Sequence, residues 1–221
     1  MFIGHFGVGF GAKASASKVS LGTLFLAAQF VDLLWPTLLL LGIERVEIKP
    51  GITQFTPLHF VSYPISHSLL MVCVWGLLFG LIYGVVQKNK QGALVLGLGV
   101  VSHWILDLIV HRPDLPLYPG ESPLLGLGLW NSLVGTFVVE GVIFIVGLVL
   151  YLRVTRPRNR AGLYGFWALV GFLVLVHLGN VFGPPPPNIT AIAWGGQLQW
   201  LLVIWAYWID RNRVTRSPQA A

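Results

Sequence analysis

The hydrophobic positions of this chain fall into long continuous runs. A helix needs about 20 mostly apolar residues to cross a bilayer. Six segments reach that length, at about residues 19–43, 65–86, 91–110, 131–154, 163–182 and 190–209. Continuous runs do not suit barrel strands, in which apolar and polar positions alternate, and only helices satisfy their own backbone groups in lipid. The pattern therefore predicts an all-α, polytopic membrane helix bundle of about six transmembrane helices, forming a single integral membrane domain over residues 1–221.

A shorter apolar segment precedes the first of these runs. Residues 2–12 are too few to cross a membrane alone, and their four glycines would allow close helix packing. The segment resembles a secretory signal, with Ala14, Ser15 and Ala16 as a cleavage site, but no positive charge precedes it and Lys13 interrupts it. We therefore expect a short N-terminal half-helix leaning on the bundle, with a cleaved signal as the alternative.

The composition also indicates that a lipid bilayer surrounds most of the chain. The chain is 55% hydrophobic and only 10% charged, whereas soluble domains carry about 25% charged residues. The formal charge of +6 would raise the question of nucleic acid in a soluble protein. Here the basic residues lie in short loops and tails, so they predict membrane orientation and no nucleic-acid partner. The single cysteine, Cys73, lies in an apolar run and has no partner for a disulfide or a thiolate metal site.

Lysine and arginine are distributed unequally between the two sides of the predicted bundle. One side would hold Lys13, Lys18, Lys88, Lys90, Arg153, Arg156, Arg158, Arg160, Arg211, Arg213 and Arg216. The other side would hold only Arg45, Lys49 and Arg112. Because cytoplasmic loops carry the excess of positive charge, this distribution predicts that both chain ends are cytoplasmic.

Several ionisable residues fall inside the predicted spans. Each costs about 2.5 kcal/mol or more at mid-helix on insertion scales, so such residues usually mark a function. They are Asp32, His67, His103, Asp107, Glu140 and His177, with His5 in the N-terminal segment and His111 at the end of the third span. His103, Asp107 and His111 are spaced i, i+4, i+8 and share one helix face. That face suits a divalent metal, although a buried hydrogen-bonded pair joining two helices is the alternative.

The direction of each span places most of these residues in the outer half of the membrane. Because these residues lie at a similar depth in the membrane, we expect a polar cavity that opens to the outer side. Its His and Asp side chains would hold a divalent metal, and zinc is the metal that we expect. Such an ion would lower the pKa of a bound water. Asp107 and Glu140 are the candidate catalytic carboxylates, and Pro36 is expected to loosen the first span beside Asp32.

Four residue runs resemble a known family. They are Gly4-His5-Phe6-Gly7, Val31-Asp32, Tyr63 to Leu69 and Ser102 to Asp107. Together they resemble bacterial inner-membrane proteins described provisionally as metal-dependent hydrolases. The resemblance covers about the first half of the chain. It implies an inner-membrane location and a metal site formed by His5, Asp32, His67, His103 and Asp107, to which the helical spacing adds His111 as a further candidate.

Three classes of function remain open at this stage. The first is a membrane metal-dependent hydrolase whose substrate is a lipid or another amphiphilic small molecule. The second is a proton- or cation-linked transporter or channel, but its path would need polar groups through the full membrane thickness, and the cytoplasmic halves of the spans are almost wholly apolar. The third is a non-enzymatic binding or assembly subunit, one form of which would ligate haem between two histidines without a covalent attachment motif.

Overall fold

The structure is a computed structural model that describes residues 1–216. It is mostly helical, as predicted. The helices are α1 (Ile3–Ser15), α2 (Leu21–Ala28), α3 (Phe30–Leu40), α4 (Pro64–His67), α5 (Leu69–Gln87), α6 (Lys90–Val110), α7 (Leu133–Val154), α8 (Arg160–Phe182), α9 (Ile189–Gln197) and α10 (Gln199–Arg211). Among the described residues, α5, α6, α7, α8 and the α9–α10 segment are each long and apolar enough to cross a membrane, and α2 with α3 forms a sixth, bent candidate. The predicted membrane helix bundle is therefore confirmed.

The first predicted span is a broken helix. The axes of α2 and α3 meet at 57°, and the break falls at Gln29. Pro36 lies inside α3, where it has no N–H to donate to the carbonyl of Asp32 four residues earlier. The helix continues through Pro36 and bends one turn before Asp32, so the expected loosening lies at a different position.

The second predicted span begins with a separate short helix. The backbone of Ser68 is extended and ends α4, and its hydroxyl then caps α5 by accepting a hydrogen bond from the Met71 N–H. His67 therefore lies on one isolated turn rather than on the membrane-spanning helix itself. The later spans begin conventionally, since the side chains of Asn89, Ser132 and Asn159 cap α6, α7 and α8.

Helix α1 lies within the bundle and packs most extensively on α7. Its Phe6 and Phe10 are fully buried and belong to one core cluster with Phe25 and Phe144. A Cβ atom at Gly7 would lie 2.7 Å from the backbone oxygen of Ile143, so only glycine permits this approach of the two helices. The N-terminal segment is thus a buried helix that reaches the interior of the bundle.

Short strands organise the two ends of the bundle. At one end, β5 (Thr155–Pro157) pairs with β6 (Arg213–Thr215) and joins the α7–α8 loop to the C-terminal segment. The side-chain amide of Gln91 donates to the carbonyl of Ser15 and brings the α5–α6 loop to the same place. This end, which we call the basic end, therefore gathers the loops that carry most of the lysine and arginine.

The opposite end contains two further antiparallel pairs. They are β1 (Arg45–Ile48) with β2 (Leu58–Ser62), and β3 (Leu115–Pro116) with β4 (Leu124–Leu125). Between the two ends, large apolar side chains such as Leu77, Ile82 and Val85 of α5 are exposed. An apolar surface of this extent fits contact with lipid rather than water.

Candidate metal centre

Two histidines and two aspartates bring their ligand atoms close to one another. His67 Nε2 lies 3.4 Å from Asp32 Oδ1 and 3.8 Å from Asp107 Oδ2. His103 Nε2 lies 3.6 Å from Asp32 Oδ1 and 3.2 Å from Asp107 Oδ2. Ligand atoms held tetrahedrally at about 2.0–2.1 Å from zinc are separated by about 3.3 Å. Each of these four His–Asp distances is therefore close to the separation of two ligand atoms on one small divalent ion.

His5 extends this cluster on the side of α1. Its Nε2 lies 3.1 Å from Asp107 Oδ1, and its ring stacks on the His103 ring at 3.6 Å. The amino group of Met1 also contacts Asp107 Oδ1. Two overlapping groups have ligand atoms within 4.8 Å of one another, one of His5, His103 and Asp107 and the other of Asp32, His67 and His103. Helix α1 thus brings His5 next to His103 and Asp107, the other two members of the first group.

Each cluster residue owes its position to a local feature of its element. Asp32 follows the break at Gln29, and His67 ends the short helix α4. His103 and Asp107 are one turn apart on the buried face of α6. The break also places the carbonyl of Ala28 2.9 Å from His103 Nδ1. The irregular parts of the first two spans therefore build half of the site.

Hydrogen bonds beyond the cluster orient both central imidazoles. His67 Nδ1 lies 2.6 Å from Ser66 Oγ, and the Ser66 hydroxyl donates to Glu44 Oε2. His103 Nδ1 is engaged by the carbonyl of Ala28, so it carries the proton and leaves Nε2 as an acceptor. That Nε2 atom is buried without a hydrogen-bond partner among the described residues. A buried lone pair that is held in place and unused is what a metal ligand provides.

The five cluster side chains differ in exposure. The side chains of His5, His67, His103 and Asp107 are at most 3% exposed, whereas that of Asp32 is 23% exposed. Asp32 is therefore the cluster residue most open to a ligand or water.

Glu140 lies at the start of α1. Its Oε2 atom accepts hydrogen bonds from the backbone N–H groups of Phe2, at 2.8 Å, and Gly4, at 3.3 Å. A carboxylate at this place caps the helix and complements its dipole. Glu140 thus holds the helix that carries His5, and it belongs to neither of the two ligand groups.

His111, the further ligand candidate, lies in a separate hydrogen-bonded group. Its Nδ1 is 2.8 Å from Asp114 Oδ1, to which the Tyr63 hydroxyl also donates at 2.9 Å. Burial lowers the pKa of His111, and burial with the nearby Asp114 carboxylate raises the pKa of Tyr63. Both groups are therefore neutral near pH 7. The structure does not bring His111 into either ligand group.

Sequence reasoning missed Glu44, Ser66 and Asp114 as supporting residues. Glu44 is only 2% exposed although it lies in a loop. Its partner Ser66 is 22 residues away along the chain. The only sequence signal was the position of Ser66 beside His67, because no periodic pattern connects a loop carboxylate to a distant helix.

Fold and cluster together define a polytopic membrane protein with a buried His/Asp site suited to a metal ion. The family model described as YdjM inner membrane protein matches residues 4–181. The chain therefore belongs to this family, which carries the provisional description of membrane-bound metal-dependent hydrolase. The predicted resemblance is confirmed. No curated protein and no solved structure matches the chain.

Proposed function

We propose that this chain is a membrane-embedded metal-dependent hydrolase. The observation that supports it most strongly is that the Nε2 atoms of His67 and His103 each lie 3.2–3.8 Å from carboxylate oxygens of both Asp32 and Asp107. A divalent ion such as zinc, when bound, acidifies a water molecule and polarises the oxygen of a scissile bond.

The residues of the cluster then divide their roles by accessibility. His67 and His103 offer fixed Nε2 lone pairs, and Asp107 is buried with its Oδ1 directed at His5 and its Oδ2 at His103. Asp32 is the accessible carboxylate, so we assign it contact with water and substrate, where it can accept a proton. Of the two predicted catalytic carboxylates, Asp107 then serves as a ligand and Glu140 positions α1.

An amphiphilic substrate suits this location. The cluster residues lie on or next to helices whose outer surfaces are apolar, so a lipid or similar molecule can approach through the bilayer. We therefore propose an ester of a long-chain amphiphile as substrate, with membrane lipids as its surroundings.

The family places the protein in the inner membrane, and we propose that the basic end faces the cytoplasm. Eleven of the 14 lysine and arginine residues lie in the loops and tails gathered at that end or in the adjoining ends of the helices. The positive-inside rule then puts both termini in the cytoplasm. Single cysteines at Lys88 and Glu121, in Cys73→Ala protein, would test this. Membrane-impermeant maleimide should label Glu121→Cys in intact cells and Lys88→Cys only after lysis; the reverse labelling would contradict the orientation.

Metal dependence is tested with the purified protein in detergent. Metal-free protein should bind Co²⁺ or Zn²⁺ in about 1:1 ratio and should then hydrolyse a chromogenic long-chain carboxylic ester or phosphodiester in mixed micelles. Asp32→Asn should lose turnover, and Glu47→Gln, at an exposed carboxylate of β1, should retain it. Absence of metal binding would overturn the site, while metal binding without hydrolysis of either ester would overturn the hydrolase assignment alone.

A further inference from the structure

We propose that Glu44 is a positioning residue of the metal centre, which sets the protonated nitrogen of His67 through the hydroxyl of Ser66. The inference rests on the proposed metal site and adds a regulating residue that lies outside the ligand cluster. Glu44 lies between α3 and β1, and its side chain is buried.

The contacts of Glu44 leave its carboxylate completely engaged. One oxygen, Oε1, accepts the backbone N–H groups of Ile65 and Ser66, both at 2.8 Å, and so caps the short helix α4. The other oxygen, Oε2, accepts the Ser66 hydroxyl at 2.6 Å. All three contacts hold the turn of helix that carries His67.

Glu44 is also fixed to the helix that carries Asp32. The backbone N–H groups of Ile43 and Glu44 both donate to the carbonyl of Leu38, at the C-terminal end of α3. The same residue therefore connects α3 with α4, and with them two of the cluster residues. A shift of the loop would be transmitted to Asp32 and His67 together.

The order of donors and acceptors fixes the tautomer of His67. A carboxylate only accepts hydrogen bonds, so the Ser66 hydroxyl must donate its hydrogen bond to Glu44 Oε2. The lone pair of Ser66 Oγ then accepts a hydrogen bond from the Nδ1–H of His67, at 2.6 Å. Nε2 of His67 is left unprotonated toward Asp32 and Asp107, as a metal ligand must be. Outer partners of this kind fix both the tautomer and the basicity of a ligating histidine.

Glu44→Gln would reverse this order with almost no change of shape. With its amide oxygen on the two backbone N–H groups, the glutamine NH₂ would face Ser66 Oγ. The hydroxyl would then donate to His67 Nδ1 and move the ring proton to Nε2, where it blocks a metal. The flipped amide would instead direct its NH₂ at the N–H groups of Ile65 and Ser66, which is repulsive.

Cobalt titration of the detergent-solubilised, metal-free protein tests the inference. Glu44→Gln should weaken Co²⁺ binding by about 10–100-fold, the usual cost of losing an outer-shell partner. Ser66→Ala keeps the Glu44 cap on α4 and removes only the hydroxyl that connects Glu44 with His67, which we call the relay. It should therefore weaken Co²⁺ binding in the same range. Glu47→Gln, three residues further along in β1, should bind Co²⁺ like the unmodified protein.

A double-mutant cycle separates positioning from general destabilisation. In a His67→Ala background, Glu44→Gln should cause little further loss of Co²⁺ affinity, because its effect passes through that ring. An equal loss in both backgrounds would contradict the relay. Normal Co²⁺ affinity in Ser66→Ala would overturn the inference even where Glu44→Gln fails to fold, and absence of Co²⁺ binding in the unmodified protein would overturn the metal site itself.

Discussion

At the basic end, the buried Lys13 ammonium donates to the carbonyl of Val19 and to Asp210. At the candidate metal centre, by contrast, the buried His103 Nε2 has no hydrogen-bond partner among residues 1–216. Arg213, also at the basic end, donates to Thr155 Oγ1 and to the carbonyl of Gly162 and lies over an aromatic ring. Both regions bury charged or polar groups in an apolar protein.

The difference lies in what remains unsatisfied. Burial of a charge or polar group is costly unless a partner compensates it. Lys13 and Arg213 are compensated by acceptors of the protein itself, so they join helices and loops without needing a ligand. The lone pair of His103 Nε2, which faces carboxylate oxygens and makes no hydrogen bond with the described residues, is instead free to bind a cation.

The largest expected effect is at His103. His103→Gln keeps most of the side-chain volume but removes the Nε2 lone pair, so Co²⁺ or Zn²⁺ affinity should fall by more than the roughly 100-fold that an outer-shell change can cost. Isothermal titration of the metal-free protein measures it. Ser102→Ala is the matched control, because the Ser102 hydroxyl donates its hydrogen bond to the Gly99 carbonyl of its own helix and not to a cluster residue. Similar affinities in the two variants would remove His103 from the site.

Arg213 should show the opposite behaviour. Arg213→Ala loses its hydrogen bonds to Thr155 and Gly162 and the ring contact with Phe166, at 4.6 Å from the centroid. We expect a loss of about 2–3 kcal/mol of stability, measured by denaturant titration in detergent, with metal affinity unchanged. A fall in metal affinity without a loss of stability would show that the two ends of the bundle are coupled. It would contradict a purely structural role for Arg213.

Gly147 tests whether the docking of α1 matters to the centre. A Cβ at this position would overlap the backbone of Gly7, so Gly147→Ala must move α1 away from α7 and should cost about 1–3 kcal/mol. His5 would move with α1, and metal affinity should fall moderately. Gly141→Ala, on the same helix with nothing within 4 Å, should change neither quantity. Equal metal affinity in both variants would exclude His5 from the site.

The sequence predicted the spans well because a membrane helix is recognised from its mean hydropathy over about 20 residues. It also located the residues that form the cluster, since an ionisable residue within such an apolar segment is conspicuous. The break at Gln29 was not predictable, because no glycine or proline marks it and the hydropathy run continues across it. The contacts of Glu44 and Glu140 were equally hidden, because each joins backbone N–H groups that only the folded chain brings near.

The smallest effect is expected at His111, which shares its helix face with His103 and Asp107 but uses Nδ1 for Asp114. His111→Gln should leave Co²⁺ affinity within about threefold of the unmodified protein, since an outer-shell loss would already exceed that. Its stability should fall by about 1 kcal/mol through the lost hydrogen bond. Co²⁺ titration beside His103→Gln decides between two positions on one face. Equal losses of affinity in the two variants would mean that all residues at the i, i+4, i+8 spacing are ligands. A loss at His103 alone would mean that the spacing identifies only the helix face. The hydrogen bond made by Nδ1 of each imidazole, to the Ala28 carbonyl in His103 and to Asp114 in His111, would then decide which histidine binds the metal.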